Sequence, residues 1–136
     1  MASAPTVEEF MDKTFVTFTP DMDVYKAINI LLEKGLTGAA VIDEKKRVVG
    51  ILSEKDCLRT LVHDAYSNLP NGQVKDFMTS PVLHVSPEMD IISVASVFLK
   101  QSFRRLLVIR HGELVGQITR RDLLRVIQKL RKSGTI

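Results

Sequence analysis

The chain repeats itself. Displaced by 67 positions, Val7 falls on Val74, Phe10-Met11 on Phe77-Met78, Pro20 on Pro87, Met22-Asp23 on Met89-Asp90, Leu32 on Leu99 and Val41-Ile42 on Val108-Ile109. One residue is then lost at a turn. At a displacement of 66, Val49-Gly50 meets Val115-Gly116, Asp56 meets Asp122 and Leu58-Arg59 meets Leu124-Arg125. Fourteen identities in order, broken by one gap at a turn, leave little room for chance. A chain of this kind is built from two copies of one supersecondary unit, and the unit sets the fold. A unit of about 55–60 residues has too small a core to stand well alone. The two copies are therefore expected to pack face to face, with pseudo-two-fold symmetry.

Each copy carries the same string of signals. A short extended stretch, Phe15 to Phe18 or Val82 to Val85, precedes a helix start at Thr19-Pro20-Asp21 or Ser86-Pro87-Glu88. There the hydroxyl suits the cap, Pro suits the first helical position and the acid faces the positive helix end. Helical spacing groups Val24, Ile28, Leu31 and Leu32 in the first copy, and Ile91, Val94, Ala95, Phe98 and Leu99 in the second. Gly35 stops the first of these helices. A strand follows at 39–42 or 106–109, then a polar turn, then a strand at 48–52 or 114–118, which reads as a hairpin. A second helix starts at Ser53 or Thr119 and carries Leu58, Leu61 and Val62, or Leu123, Leu124, Ile127 and Leu130. The fold class is α+β, with β-α-β-β-α repeats at 7–66 and 74–132. A polar, Pro- and Gly-containing linker spans 67–73.

Composition limits what such a chain does. With 136 residues and 45% hydrophobic content it is too apolar for disorder and the right size for one domain or a tight pair of small units. No apolar run approaches a membrane span. No secretory signal is read at the N-terminus, and Cys57 stands alone, so neither an intramolecular disulfide nor a cysteine zinc cage is expected. A cytoplasmic protein without membrane association fits. The net charge of +3 hides a balance of −5 over residues 1–99 and +8 over residues 100–136. A basic final third suggests an anionic partner; a solvated basic helix face is the plainer explanation.

The matched segments Gly50-Ile51-Leu52-Ser53-Glu54-Lys55-Asp56 and Gly116-Gln117-Ile118-Thr119-Arg120-Arg121-Asp122 hold the chemistry. A hydroxyl followed three residues later by an acid is a capping box, and that structural role suffices for a single copy. The same geometry also suits a ligand. A helix N-terminus at a strand end presents N–H groups to a phosphate, and the acid one turn on can accept from a vicinal diol such as a ribose. Two copies at equivalent positions favour the ligand.

The Phe-Met start, the Pro-marked helix, the hairpin and the Gly-x-x-Ser/Thr-x-x-Asp end, in this order and twice, resemble the CBS domain, named after cystathionine beta-synthase, in a tandem pair called a Bateman module. The resemblance covers residues 7–130. It implies two clefts between copies packed through their sheets, adenosine ligands such as AMP, ADP, ATP or S-adenosylmethionine, no required cofactor, and association into a homodimer. By the same resemblance, Ser53 and Thr119 reach phosphate or ribose, and Asp56 and Asp122 hold the ribose hydroxyls. Thr79, Pro81 and Val82 line a base pocket, with Thr14, Phe15 and Val16 as first-copy equivalents. Arg104 and Arg105 lie where some relatives set cations against phosphate; the first copy has Thr37 and Gly38 there. The family's frequent proline at the start of the hairpin is absent, since Ala40 and Leu107 stand in its place, and Gln117 replaces an apolar residue after the motif glycine.

The arginines, Arg104, Arg105, Arg120 and Arg121, crowd the second motif, while the first has Lys55 beside Glu54. Forked donors suit a polyanion, so one competent phosphate site and one weaker or empty site are expected. His63, His84 and His111 share no metal-ligand spacing, Asp21-x-Asp23 reads as helix N-terminal acid, and no catalytic triad stands out. The sequence thus reads as a non-enzymatic, stand-alone sensor of an adenine nucleotide that acts through an effector protein. A ligand-free dimerisation scaffold is the alternative. Nucleic acid is disfavoured: the basic helix end has a dipole explanation, and aromatic residues are not interleaved with it.

Overall fold

The computed structural model describes residues 4–66, 72–80 and 82–134. Both repeats form the expected α+β order. In the first, β1 (Thr17–Phe18), α2 (Val24–Lys34), β2 (Gly38–Ile42), β3 (Val48–Ser53) and α3 (Glu54–Tyr66) follow a short α1 (Val7–Phe10). In the second, β4 (His84–Val85), α5 (Ile91–Lys100), β5 (Arg105–Arg110), β6 (Glu113–Thr119) and α6 (Arg120–Lys132) follow α4 (Val74–Phe77). Each repeat has a mixed three-stranded sheet. β1 runs parallel to β2, which pairs antiparallel with β3; β4, β5 and β6 repeat that order. Even the register irregularity recurs, between Val41 and Ile42 and between Val108 and Ile109.

The two compact units are cut differently from the sequence repeats. One is Val16–Val82. The other joins the described residues up to Phe15 to those from Leu83 on. The short leading helix of each repeat thus belongs to the body of the other repeat. The hydrogen bonds explain why. A helix of four residues leaves its first N–H groups without internal acceptors. Val74 and Lys75 donate theirs to the carbonyls of Met22 and Pro20, at 2.8 and 3.0 Å. Val7 and Glu8 donate to Met89 and Pro87, at 2.9 and 3.0 Å.

These contacts also account for a difference from the sequence reading. Pro20 and Pro87 do not open helices. Each lies in a turn closed by Met22 N–H to Thr19 O, or Met89 N–H to Ser86 O, at 3.2 Å. Asp23 and Asp90 are the N-caps instead, accepting from Tyr25 and Ser93 N–H. Bonds from Ser93 N–H, then from its hydroxyl, hold the Asp90 carboxyl below its ordinary range. At the other end of α2, Gly35 adopts φ 63°, the left-handed stop that glycine takes without strain.

Each unit has its own core. Phe18, Val24, Ala27, Leu31, Val41, Leu52, Val74 and Phe77 fill one; Val7, Val85, Val94, Phe98, Leu106, Val108, Ile118 and Val126 fill the other. Fully burying a side chain such as Leu52 or Ile118 is worth ~1.5–3 kcal/mol. The leading helices contribute the buried Val7 and Val74 to these cores. Their aromatic residues meet repeat-related partners: His63 packs edge-on to Phe77, and Lys129 sits 5.4 Å over the Phe10 ring.

The helical faces are narrower than the spacing suggested. Leu32, Leu99, Leu58, Leu61, Val62, Leu124 and Ile127 are exposed, Leu99 at 87%. The buried row is a single one: Val24, Ala27 and Leu31 on α2, Ile91, Val94 and Phe98 on α5, and Leu123 and Val126 on α6.

Candidate functional site

The motif occurs at the same corner in each unit, where a strand runs directly into a helix. In one, Thr119 ends β6 and is the N-cap of α6. Its N–H and hydroxyl both donate to Asp122 Oδ2, at 2.8 and 3.0 Å, and Asp122 N–H donates back to the Thr119 hydroxyl at 3.2 Å. The capping box is therefore real. Asp122 Oδ1 points away from it and accepts from Arg125 at 3.1 Å. The Asp122 side chain is 18% exposed, and that of Arg125 is 67% exposed.

In the other unit, Ser53 N–H and hydroxyl donate to Asp56 Oδ2 at 3.0 and 2.9 Å, and Asp56 N–H returns to the Ser53 hydroxyl at 3.2 Å. The box is the same, but its outer oxygen is not. Asp56 Oδ1 accepts from the Thr79 hydroxyl at 2.9 Å and pairs with Arg59 at 3.2 Å. The Asp56 side chain is 3% exposed.

The motif glycines have a packing role that the sequence did not reveal. A Cβ on Gly116 would lie 2.6 Å from Met11 Sδ and 3.1 Å from the Asp12 carbonyl. A Cβ on Gly50 would lie 2.7 Å from Met78 Sδ and 3.1 Å from the Thr79 carbonyl. Both glycines let the segment after a Phe-Met pair press against the motif strand. That segment pairs with the strand through its backbone, Thr79 with Ile51 and Asp12 with Gln117.

Arg105 is half-buried and opens β5 directly opposite Thr119 in the ladder. Arg104 is exposed just before it. Arg121 is exposed in the first turn of α6, where with Leu124, Arg125 and Gln128 it borders a surface depression of about 330 Å³. Val82 is half-buried and precedes β4. Pro81 lies outside the described residues. The structure thus gathers Ser53, Asp56 and Thr79 at one corner, and Thr119, Asp122 and Arg105 at the other. Thr79 and Val82 belong to the unit that holds the first motif, whereas Thr14 and Phe15 belong to the unit that holds the second.

Arg59, Arg125 and Asp12 went unassigned in the sequence. The arginines were already visible as repeat identities three residues after each motif acid, a spacing at which helical side chains meet. Asp12 is the displacement-67 counterpart of Thr79.

Next to the first motif, Cys57 is half-buried. Burial, then the charges of Asp56 and Glu54, pushes its thiol up to about 11. A larger hollow of about 690 Å³ lies in the same unit, between Thr19–Asp21 and the β2–β3 turn, at the opposite end of β3 from Ser53. Among the described residues, no cluster of His, Cys, Asp and Glu is arranged to hold a metal ion, and no helix is long and apolar enough to cross a membrane.

Comparison with known proteins is consistent along the chain. The family model described as "CBS domain" matches twice, at residues 7–63 and 74–129. A crystal structure of CBSX2 in complex with AMP is similar at a TM-score of 0.82 and 30% identity, covering 93% of this chain and 98% of that one. The chloroplastic CBS domain-containing protein CBSX1 of Arabidopsis thaliana is 31% identical over 157 residues, covering 95% of this chain and 66% of that protein. An uncharacterized protein of Methanocaldococcus jannaschii, MJ1225, is 28% identical over 121 residues. That match takes in 89% of this chain, which spans 42% of the length of MJ1225.

Proposed function

The chain belongs to the CBS-domain family, with two copies of the domain, and from that premise we propose that it is a regulatory module binding an adenosine-type nucleotide at Thr119 and Asp122. AMP, ADP and ATP head the expected ligands, with S-adenosylmethionine in the same chemical class. The observation that carries this reading is Asp122. Its inner oxygen is fixed by Thr119 while its outer oxygen meets a mostly exposed Arg125, so a ribose diol has an oriented acceptor to bind. The N–H groups of the first turn of α6 and the cations of Arg104, Arg105 and Arg121 favour the phosphate. Ser53, Asp56, Thr79, Pro81 and Val82 are the expected ligand residues at the first motif, the weaker or empty site of the pair. The AMP complex of CBSX2, at 30% identity, supports the ligand class.

Such a module has no chemistry to perform. It acts by having different affinities for a ligand in two arrangements, and its output passes to an effector protein. A cytoplasmic homodimer is the form we expect. The exposed Leu58, Leu61 and Val62 on α3, and Leu124 and Ile127 on α6, supply apolar rows for a second copy to cover.

The alternative, a ligand-free scaffold, draws on one observation: both motif acids already serve capping boxes, and Asp56 has donors on both oxygens. Thermal shift separates the two. Selective binding to the native state raises the apparent melting temperature, by about 2.7 kcal/mol in stability at a hundredfold excess of ligand over Kd. A rise with AMP, ADP or ATP supports the sensor. No rise with any adenosine compound at millimolar concentration favours the scaffold.

A further inference from the structure

The two motif corners allow a comparison within one chain. Their backbones match closely. Thr79 pairs with Ile51 at 2.9 and 3.0 Å, and Asp12 pairs with Gln117 at 2.8 and 3.0 Å. Their side chains do not match. Thr79 brings a hydroxyl proton to the outer oxygen of Asp56. Asp12, in the equivalent place, brings a carboxylate that accepts from Thr14 N–H at 2.8 Å and, ionised, has no proton to give. The outcome is visible in the two motif acids. Asp56 accepts from Ser53 N–H, the Ser53 hydroxyl and the Thr79 hydroxyl and is ion-paired with Arg59, with its side chain 3% exposed. Asp122 accepts from Thr119 N–H, the Thr119 hydroxyl and Arg125, with its side chain 18% exposed.

We propose that the Thr79 hydroxyl is a built-in occupant of Asp56, taking the acceptor oxygen that a ribose hydroxyl would take, so that the chain binds one adenosine-type ligand, at Asp122, instead of two. An incoming hydroxyl at Asp56 exchanges one hydrogen bond for another and must desolvate as it does so, which leaves it no net gain. At Asp122 the competing donor is a long, solvated arginine, and Arg125 can turn aside at little cost. Thr79 is thereby a specificity-determining residue that sets how many ligands the chain holds. The inference rests on the reading above, in which the motif acid grips the ribose.

The test is calorimetric titration of the full chain with AMP. Wild type binds one AMP per chain. Thr79→Ala removes the donor and opens the space, and raises the count to two. Thr79→Ser keeps the donor and holds the count at one. In an Asp122→Ala background, which weakens binding at least tenfold, adding Thr79→Ala restores one tight site. Two sites in wild type, or one in Thr79→Ala alongside one in wild type, overturn the proposal while leaving the nucleotide reading intact. No binding by any of these proteins removes that reading and the proposal with it. Should Thr79→Ala lose its cooperative melt, amide shifts of the wild type on titration with AMP decide. Shifts at residues 119–123 with residues 53–57 unmoved support the proposal, and equal shifts at both corners overturn it.

Discussion

Thr79 and Asp56 are joined by a 2.9 Å hydrogen bond between residues 23 positions apart, on a carboxylate that is almost fully buried. A buried acceptor that loses one of its donors is costly to leave unpaired, even when another donor remains. Thr79→Ala is therefore expected to lower stability by about 1–2 kcal/mol in urea unfolding, with an unchanged denaturant slope. Asp12→Ala, which removes an exposed contact at the matching position, is expected to cost clearly less. Equal losses from the two substitutions would mean that the Asp56 bond has no special weight.

The motif glycines are expected to be intolerant for steric reasons alone. In Gly116→Ala the new methyl meets Met11 Sδ at 2.6 Å and the Asp12 carbonyl at 3.1 Å. The methionine can swing away, but the paired backbone cannot without losing its bridge to Gln117. Overpacking of this kind costs about 1–3 kcal/mol. Chemical denaturation of Gly116→Ala and Gly50→Ala checks this, and Gly134→Ala serves as a comparison: nothing lies within 4 Å of its Cβ, although its φ of 75° makes any side chain there strained.

Cys57 is expected to be sluggish. With its thiol pushed from 9.0 to about 11, native protein at pH 8 holds about a hundredfold less thiolate than an ordinary cysteine. Iodoacetamide should modify the native chain at least tenfold more slowly than the urea-unfolded chain at that pH. Equal rates would show that burial does not protect it. The same shift has a stability consequence. The folded state keeps the proton that the unfolded state loses, so this contribution is complete below about pH 9 and fades as pH rises towards about 11.

The exposed apolar row on α3 gives a test of self-association. Leu61 is 71% exposed, so its replacement disturbs no core. Leu61→Glu is expected to convert a dimer to a monomer in sedimentation velocity while leaving the circular dichroism spectrum unchanged. A monomeric wild type, or a variant that sediments like wild type, would remove the homodimer.

Much of this fold is legible in the sequence because repeats, hairpin signals and motif spacing are local. The strand-to-helix corners at Ser53 and Thr119 are read within a residue, and so is the Gly35 stop. Three features are not local and are missed. Pro20 satisfies the rule for a first helical residue, yet its carbonyl is needed by Lys75, and Asp23 takes the cap. Leu58 and Leu61 keep helical spacing whether they face the sheet or the solvent, so spacing cannot place them. The exchange of leading helices between the two bodies depends on bonds such as Val7 to Met89, which span most of the chain. The same holds for the motif acids. Their capping boxes are written within four residues, whereas the Thr79 bond that sets Asp56 apart from Asp122 comes from a distant segment.

Calorimetric titration of wild type and Asp122→Ala with AMP decides whether Asp122 captures the ligand. Saturable binding is expected of wild type and at least a tenfold loss of affinity of the variant, about 1.4 kcal/mol or more, with the fold retained by circular dichroism. An Asp122→Ala protein that binds AMP as tightly as wild type would contradict capture by Asp122.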